Sequence, residues 1–491
     1  MDIMEEKIIV RLHSMSHDGR AIGRYENGEE KGITVFVENA VMGQTVQATI
    51  LKRKKKYIEA QCEQVLEQEN FVTKGICSHF SECGGCAWQL LEYPVQAKEK
   101  EHIVFNSLQR IGNFSQEYLQ QKIYPILTPL DCKFPKITTY RNKMEFAFSL
   151  ENGKQKLGLR KRNSHEIIEI TDCKLMDRKA MEILSILRNI TKDYLEKFLR
   201  YAVLRNFNNE WTLELITYPF SKNKEIEQKL IVLCYEKLQH FIKGLIHSIR
   251  KSSFDVAYGE EIIKLYGNTE LFENLHIKEQ KKSFSLGNTA FFQVNTQMTE
   301  ILYSVVYELA SLVLPKENGQ LWDIYCGLGS IGLSLANLLK HNEKLNSIYA
   351  KDILFCVTQY KKPFLLGVEV VEQAIQLAKQ NAINSSCDFA RFEVNSAKKL
   401  EQYFKRFSLP NVLVLDPPRA GVEEQAIQAI LKYLPKNIIY VSCNPATLAR
   451  DLALLSEKYQ LCIVQPVDLF PHTPHVETVV LLSKRKPEDV I

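Results

Sequence analysis

The sequence predicts an α/β protein with a C-terminal Rossmann-like domain, preceded by a small β-barrel and a central α+β region. Three observations predict this arrangement. Short strand-like runs separated by glycines fill about the first 66 residues, mixed helical and strand-like segments follow, and strands alternate with helices from about Leu286 onward. We therefore expect three domains, at residues 1–68, 69–285 and 286–491.

Length and composition agree with this interpretation. The chain has 491 residues, which corresponds to about three domains, and 45% hydrophobic with 25% charged residues exclude a disordered or fibrous protein. No apolar run reaches the roughly 20 residues of a membrane span, and the N-terminus does not resemble a secretory signal. We therefore expect a cytoplasmic protein without membrane contact. Its twelve cysteines would be reduced there, so clusters of them indicate metal binding or catalysis. The net charge of +5 is too small to indicate a partner.

The predicted barrel alternates apolar and polar residues along each strand. Its runs lie at 8–12, 33–37, 46–51 and 57–65, with glycines between them. Short, evenly spaced strands of this kind are typical of oligonucleotide-binding barrels. The basic run 52–56 between the last two strands is read either as a solvated hairpin tip or as a loop that contacts a phosphate backbone.

The central region is predicted to be an α+β domain. Strand-like stretches at 142–150, 156–159, 166–170 and 211–218 accompany two segments of helical periodicity, 178–200 and 222–249. Basic residues recur between positions 154 and 162, where a solvated face is the simpler interpretation.

The C-terminal region repeats a strand–helix unit. Apolar strands at 321–326, 364–370, 412–415 and 438–442 precede helical stretches at 331–340, 371–384, 423–434 and 445–459, and residues 460–484 read as two further strands. Such alternation predicts a parallel sheet with helices on both faces.

A glycine-rich turn follows the first of these strands. Residues 323–332 contain G-x-G-x-x-G, and Glu369 ends the next strand, where its carboxylate can accept hydrogen bonds from both hydroxyls of a ribose. This pair serves NAD and S-adenosylmethionine equally well, and a tight turn without a ligand is the third alternative. Because Glu369 lies 37 positions beyond Gly332 instead of about 20, we expect an insertion at 341–363.

Two reactive side chains fall at the same predicted edge of the sheet, and a third begins the last predicted strand. Asp416 follows one strand in Asp-Pro-Pro-Arg, Cys443 follows the next, and Glu477 begins the last. Cys443 is either a small core residue or a thiolate stabilised by the following helix N-terminus. Glu477 is either a base or a charge at a strand start. A cysteine nucleophile, a carboxylate base and a methyl-donor pocket together are what alkylation of C5 of a pyrimidine requires.

These segments resemble the motifs of the RNA uracil-C5 methyltransferases, which use S-adenosylmethionine. The matching segments, in the family's order, are Phe291-Phe292-Gln293-Val294-Asn295, 323–332, Gly367-Val368-Glu369, Asp416-Pro417-Pro418-Arg419, Ser442-Cys443-Asn444-Pro445 and His475-Val476-Glu477-Thr478. The resemblance implies that Cys443 is the nucleophile and Glu477 the general base. It places six residues around the methyl donor: Gln293, Tyr325, Ser330, Glu369, Asn395 and Asp416. At Ser330 and Asn395 some members carry Asn and Asp instead.

A cluster of cysteines opens the central region. Cys77, Cys83 and Cys86 lie within ten residues, and Cys173 is the candidate fourth ligand. Spacing alone fits zinc and an iron–sulfur cluster equally well. The resemblance favours the cluster, because the family branch with an N-terminal TRAM barrel carries this Cys-x5-Cys-x2-Cys…Cys pattern and holds a 4Fe-4S cluster. Arg141 and Lys143, in a run that matches the same branch, are candidate RNA contacts or a capped strand start.

The resemblance therefore implies a monomeric methyltransferase that makes 5-methyluridine in RNA. The TRAM-plus-cluster layout resembles the branch that acts on 23S ribosomal RNA, and tRNA is the alternative substrate. The target uridine would be flipped against Phe291 or Phe470. A catalytically inactive iron–sulfur RNA-binding protein and an NAD-dependent dehydrogenase are the competing interpretations; the latter leaves Cys443 and Glu477 without a role.

Overall fold

The computed structural model describes residues 6–26, 31–219, 223–288, 290–342, 347–349 and 361–485. Within these residues the chain forms a closed five-stranded barrel, a seven-stranded sheet, a two-stranded hairpin and a second seven-stranded sheet, in that order. The predicted α/β class and the N-terminal barrel are confirmed. In the described ranges no helix combines the length and apolar character needed to cross a bilayer.

The barrel closes through five strands, one more than predicted. They are β1 (Lys7–Met15), β2 (Ala21–Arg24), β3 (Thr34–Glu38), β4 (Gln44–Arg53) and β5 (Tyr57–Gln68), in the order β1-β2-β3-β5-β4. The short β2 was missed because it contains Gly23, but a Cβ there would lie 2.2 Å from Val10 Cγ1, so the barrel wall requires glycine. The basic run 52–56 is exposed at the hairpin between β4 and β5, where Arg53 forms an ion pair with Glu6.

Two helices that the sequence analysis did not predict connect the barrel to the rest of the protein. They are α1 (Tyr93–Arg110) and α2 (Gln116–Lys122). On α1, Ile103 belongs to the barrel core, whereas Val104 and Leu108 are buried in the core beneath the C-terminal sheet. This helix therefore packs against both the barrel and the C-terminal sheet.

The central sheet carries the order β12-β11-β10-β9-β6-β7-β8. Its strands are β6 (Lys143–Glu151), β7 (Lys154–Arg160), β8 (Ile167–Ile168), β9 (Leu199–Phe207), β10 (Glu210–Thr217), β11 (Gly244–Ile249) and β12 (Glu261–Gly267), with helices α3 (Arg178–Thr191) and α4 (Lys224–Leu238). The two predicted helices were too long, since β9 and β11 occupy their C-terminal ends. Both strands are buried on both faces, and periodicity alone does not separate such strands from buried helices.

A hairpin and a long helix lead into the C-terminal sheet. The hairpin strands β13 (Phe272–Ile277) and β14 (Gln280–Ser285) pack on α5 (Thr296–Val313) through β13. Asn295 caps α5 by accepting a hydrogen bond from the amide of Met298. None of these three elements was predicted.

The C-terminal sheet has the order β17-β16-β15-β18-β19-β21-β20. Its strands are β15 (Gln320–Ile324), β16 (Phe364–Glu369), β17 (Ala390–Val394), β18 (Val412–Leu415), β19 (Asn437–Ser442), β20 (Tyr459–Val467) and β21 (Glu477–Lys484). The first five are parallel, and β21 is antiparallel to both β19 and β20. The strand order reverses between β15 and β18, which is where ligands bind in open α/β sheets.

Helices cover both faces of this sheet, as predicted. They are α6 (Ser330–Ser334), α7 (Ala336–Lys340), α8 (Glu372–Asn384), α9 (Leu400–Arg406), α10 (Glu424–Tyr433) and α11 (Pro445–Leu455). The predicted helix 331–340 is divided between α6 and α7, and α11 ends four residues before the predicted end. The strand β17 and the helix α9 were missed. Of the predicted insertion, residues 343–346 and 350–360 lie outside the described residues.

Candidate active site

One cavity of about 1550 Å³ brings together all twelve predicted site residues. Its lining includes Cys443, Glu477, Gln293, Tyr325, Ser330, Glu369, Asn395, Asp416, Cys77, Cys83, Cys86 and Cys173. The cavity runs along the carboxyl edge of the C-terminal sheet and extends to the central region. Residues separated by up to 400 positions in the chain, from Cys77 to Glu477, thus share one surface.

The turn after β15 is built for close packing. Tyr325 and Gly329 have φ of +69° and +82°, in the left-handed region. The amide of Gly332 donates to Asp323 Oδ2 at 2.8 Å, and a Cβ on Gly332 would lie 2.9 Å from that same oxygen. The glycine therefore lets the first turn of α6 sit directly on the end of the strand, as in nucleotide-binding folds.

Glu369 faces this turn from the end of β16. Its Oε2 accepts from the amide of Gly327 at 3.3 Å, and its Oε1 accepts from the amide of Val370 at 2.7 Å. A Cβ on Gly327, which lines the cavity with φ of +53°, would meet no atom within 4 Å. The backbone here is open to a ligand, and the carboxylate stands beside it. This arrangement suits the ribose of a nucleoside cofactor.

Two tyrosines support the polar wall of the cavity. The hydroxyl of Tyr303, on α5, lies 2.7 Å from Ser330 Oγ, and the hydroxyl of Tyr325 donates to Glu423. Both Tyr303 and Glu423 line the cavity. Sequence reasoning missed them, because α5 was not predicted and Glu423 precedes α10 as an ordinary helix-start acid.

The loops that carry Asp416 and Cys443 are tied to each other. Asn444 caps α11 through the amide of Ala446 at 3.1 Å, and its Nδ2 donates to the carbonyl of Arg419 at 3.0 Å. Cys443 therefore sits between the end of β19 and the N-terminus of α11, with Asp416 on the neighbouring loop. The structure thus places Cys443 where the sequence predicted it.

The electrostatic environment of Cys443 differs from the prediction. Burial raises the pKa of its thiol to about 12, with the charges of Glu477 and Asp416 adding to the rise and Arg419 opposing it. Burial and the two carboxylates thus oppose the thiolate that the following helix N-terminus was expected to stabilise. A positive charge in the cavity would lower the thiol pKa.

The two carboxyl groups beside the cysteine also have raised pKa values, so a bound cation would favour their ionised forms. Burial raises the pKa of Glu477 to about 8, reinforced by Asp416 and opposed by Arg419. Burial likewise raises the pKa of Asp416 to about 7. Two carboxyls and a thiol at one end of a cavity are all easier to ionise when a cationic ligand is bound there, and the sulfonium of S-adenosylmethionine is such a cation.

The loop before Glu477 is held by α1 and by Tyr140, which precedes β6. Gln96 accepts from the amide of His472 at 2.9 Å, and Tyr140 donates to the carbonyl of Pro471 at 3.0 Å. Phe470 and His475, from the same loop, line the cavity. His472 has a φ of +67°, so this loop keeps a rarely adopted backbone conformation that its surroundings fix.

The four predicted metal ligands lie on the central side of the cavity. Burial raises the pKa of the Cys83, Cys86 and Cys173 thiols, that of Cys86 to about 12, and the charge of Arg141 opposes each rise. The guanidinium Nε of Arg141 is buried without a hydrogen-bond partner. The positive charge of Arg141 thus acts on three of the four thiols.

The loop that carries three of these cysteines is fixed to the central sheet by Arg162. Its Nη2 donates to the carbonyl of Cys86 at 2.6 Å, and the amide of Gly84 donates to the carbonyl of Arg160 at 3.0 Å. In the described part of the chain, no group of three or more His, Cys, Asp or Glu side chains is arranged to hold a metal ion.

Sequence comparisons identify the family. Residues 116–485 match the profile described as tRNA (uracil-5-)-methyltransferase, and residues 6–62 match the TRAM domain. A protein of Nitratidesulfovibrio vulgaris, described as an uncharacterized RNA methyltransferase, is 34% identical over 98% of this chain and 97% of its own length. A protein of Clostridium acetobutylicum with the same description is 33% identical over 97% and 96%.

The fold is that of a solved methyltransferase. The crystal structure of Pyrococcus abyssi tRNA (uracil-54, C5)-methyltransferase in complex with S-adenosyl-L-homocysteine superposes with a TM-score of 0.66. The superposition covers 97% of this chain and 100% of that one, at 22% sequence identity. The chain therefore belongs to the tRNA (uracil-5-)-methyltransferase family and is an RNA methyltransferase with an N-terminal TRAM domain.

Proposed function

We propose that this enzyme methylates C5 of a uridine in RNA, with S-adenosylmethionine as donor, through a covalent bond between Cys443 Sγ and C6 of the base. The observation that carries the proposal is the convergence of Cys443 and Glu477 in one cavity, where the charge of the carboxylate affects the pKa of the thiol. If Cys443 were only a core residue and Glu477 only a charge at a strand start, their positions in the same cavity would not be expected.

The two residues divide the chemistry between addition and elimination. Cys443 adds to C6 as a thiolate, which turns C5 into the nucleophilic carbon of an enolate. S-adenosylmethionine supplies an electrophilic methyl group when it is bound. Glu477 then removes the proton from C5, the S–C6 bond breaks, and the electron pair of the C–H bond restores the C5–C6 double bond. Cys443 leaves with the bonding pair as a thiolate, and the enzyme returns to its starting state once Glu477 has released the proton to solvent.

Six residues of the cavity are proposed to hold the methyl donor. Glu369 would bind the ribose hydroxyls beside the open backbone of Gly327. Asp416, whose carboxyl lies close enough to raise the pKa of Glu477, would face the cationic end of the donor. The remaining residues are Gln293, Tyr325, Ser330 and Asn395, all on the same cavity wall.

We further propose that Cys77, Cys83, Cys86 and Cys173 bind a 4Fe-4S cluster. Four thiolates around such a cluster form an anionic group, and the buried Arg141 beside three of these thiols offers the compensating charge. The cluster is preferred to zinc by the resemblance of the Cys-x5-Cys-x2-Cys…Cys pattern. Zinc, the alternative from spacing, needs all four ligands around one ion. The cluster would fix the cysteine loop to the central sheet.

The RNA is proposed to approach along the barrel and the central region. The division into domains at 1–68, 69–285 and 286–491 assigns RNA binding to the first two and catalysis to the third. Arg141 and Lys143 line the cavity, where they would contact the backbone, and Phe291 or Phe470 would stack on the flipped uracil. We propose that the enzyme acts as a cytoplasmic monomer.

The preferred substrate is large-subunit ribosomal RNA, because the barrel-plus-cluster layout resembles that of the family branch that acts on 23S ribosomal RNA. Transfer RNA is the second candidate, because both the matched family and the Pyrococcus abyssi neighbour are named for tRNA. An inactive iron–sulfur RNA-binding protein is less consistent with the convergence of Cys443, Glu477 and Asp416 in one cavity.

The test is methyl transfer to unmodified RNA. Ribosomal RNA and tRNA from a strain that lacks the enzyme are incubated with it and labelled S-adenosylmethionine, and 5-methyluridine is mapped. Product in 23S RNA supports the proposal in full. Product only in tRNA moves the substrate to the second candidate. RNA binding without product in either RNA contradicts the catalytic proposal, as does protection of the protein by NAD instead of S-adenosylmethionine.

A further inference from the structure

A loop of the central sheet forms part of the rim of the catalytic cavity. This rim loop, residues 250–260, connects β11 to β12, and its residues Asp255, Val256, Ala257 and Tyr258 line the cavity that also holds Cys443. It belongs to none of the motifs that the sequence analysis identified.

Two buried arginines fix the backbone of the rim loop. Arg200 donates to the carbonyls of Ser252 and Phe254, and Arg250 donates to those of Phe254 and Tyr258 at 3.0 Å each. Asp255 accepts hydrogen bonds from Tyr201 and Arg160. These hydrogen bonds therefore hold the backbone of the loop in place without a contribution from a ligand.

The side chains of this fixed loop are nevertheless apolar and exposed. Phe254 is 75% exposed, and Val256 and Tyr258 are also solvent-exposed. Phe254 directly precedes the lining residues 255–258 of the loop, and Phe291, which itself lines the cavity, is 72% exposed. Preformed loops that present several large apolar groups beside a cavity are typical of binding surfaces, and aromatic rings are the groups on which unpaired RNA bases stack.

The charges near the loop suit a phosphate backbone. Arg160, Lys161 and Lys143 line the same cavity. Lys161 forms an ion pair with Glu166 at 3.3 Å, and Lys143 forms one with Glu145 at 2.8 Å. The side chains of both glutamates are exposed. Exposed pairs of this kind are weak, so the lysines can exchange their carboxylates for phosphates.

We propose that the rim loop is a stacking platform for an unpaired nucleotide that flanks the target uridine, with Phe254 as its principal contact. The proposal rests on the proposed RNA methylation, and it deepens that function by requiring a single-stranded segment beside the target. A uridine within a continuous duplex would not supply the exposed base that the platform needs.

The test compares three variants in steady-state methylation of the RNA found to be the substrate. Phe254→Ala should raise KM for RNA by about 5- to 150-fold, the equivalent of one stacked base, with kcat retained. Phe254→Trp keeps a ring and should restore KM. The control is Phe134→Ala, which removes a phenylalanine that is 69% exposed but lies outside both the rim loop and the cavity lining, and it should leave KM unchanged.

The possible results distinguish failure of the proposed stacking platform from failure of the proposed RNA methylation. If wild-type enzyme makes 5-methyluridine and Phe254→Ala has an unchanged KM, the platform is excluded while the methylation stands; this is also the result expected if the loop binds a protein. If wild-type enzyme makes none, the proposed function itself fails. Photocrosslinking of the wild-type enzyme to RNA that carries 5-iodouridine at flanking positions needs no variant. Crosslinks in the peptide 250–260 support the platform, and crosslinks that exclude this peptide overturn it.

Discussion

Lys100 and Asp468 form an ion pair with 2.6 Å between Nζ and Oδ1, and neither side chain is exposed to solvent. The lysine also donates to the carbonyl of Phe470 at 2.9 Å, while Asp468 accepts from the hydroxyl of Tyr93 at 2.9 Å and from the amide of Phe470 at 3.0 Å. The pair connects α1 to the loop that leads to Glu477, so a helix outside the catalytic sheet positions the proposed base.

Lys100→Met should destabilise the protein strongly. Removing one partner of a buried pair leaves the carboxylate of Asp468 unpaired, which costs about 3–5 kcal/mol. The control is Lys229→Met, whose lysine pairs with Glu225 on the exposed face of α4 and should cost about 0–1 kcal/mol. Denaturant unfolding of both variants measures the difference. Equal, small losses would mean that the pair does not hold the loop.

Glu477→Gln should stop the reaction after methyl transfer. The amide cannot accept the C5 proton, whereas addition of Cys443 and methylation of C5 do not require the carboxylate. We expect a protein–RNA adduct that carries the methyl group, seen as a shifted band on a denaturing gel and by its mass. If the variant instead turns over at the wild-type rate, another group is the base.

The raised pKa of Glu477 should appear in the pH dependence of stability. Its carboxyl has a pKa of about 8 in the fold, against 4.5 as the reference value. Between these pH values the unfolded chain is ionised and the folded protein keeps the proton, so folding becomes less favourable as pH rises. Wild type should therefore lose about 1.4 kcal/mol per pH unit relative to Glu477→Gln in this window, and no further difference should develop above it.

Asp416→Asn tests whether the charge of Asp416 contributes to the raised pKa of Glu477. The charge of Asp416 contributes to the raised pKa of Glu477, so its removal should lower the pH at which the stability loss ends. Urea midpoints measured from about pH 5 to 9 for the three proteins give the comparison. Parallel curves for wild type and Glu477→Gln would show that the carboxyl is not held protonated.

Cys83→Ser should remove iron from the protein. We expect loss of the brown colour, of iron and of inorganic sulfide, together with a less stable central region, because the cluster ties the cysteine loop to the sheet. Cys62→Ser is the control: Cys62 lies in β5 of the barrel, outside the cavity, and its loss should leave the iron content unchanged. A colourless wild-type protein with stoichiometric zinc would contradict the cluster.

The sequence was informative where a reactive residue comes directly after a strand. Asp416 and Cys443 each come directly after a strand, within short motifs, and the carboxyl ends of parallel strands share one edge. Their convergence could therefore be predicted without knowing any long-range contact.

Residues whose roles depend on distant partners were not predictable. Lys100 lies among the charges of α1 and resembles a solvated helix residue, but its partner is 368 positions away. The role of Tyr303 was not predictable for the same reason, since its contact with Ser330 depends on how α5 packs. The same limit explains β9 and β11, which look helical until their pairing partners in the sheet are known.

The most direct test of the central claim uses RNA that contains 5-fluorouridine at the target position. Fluorine at C5 cannot leave as a proton, so elimination fails and the enzyme stays bound to the base. With S-adenosylmethionine, wild-type enzyme should give a covalent complex whose crosslinked peptide contains Cys443, and Cys443→Ala should give none and make no 5-methyluridine. A crosslink to another residue, or methylation by Cys443→Ala at the wild-type rate, would contradict the account.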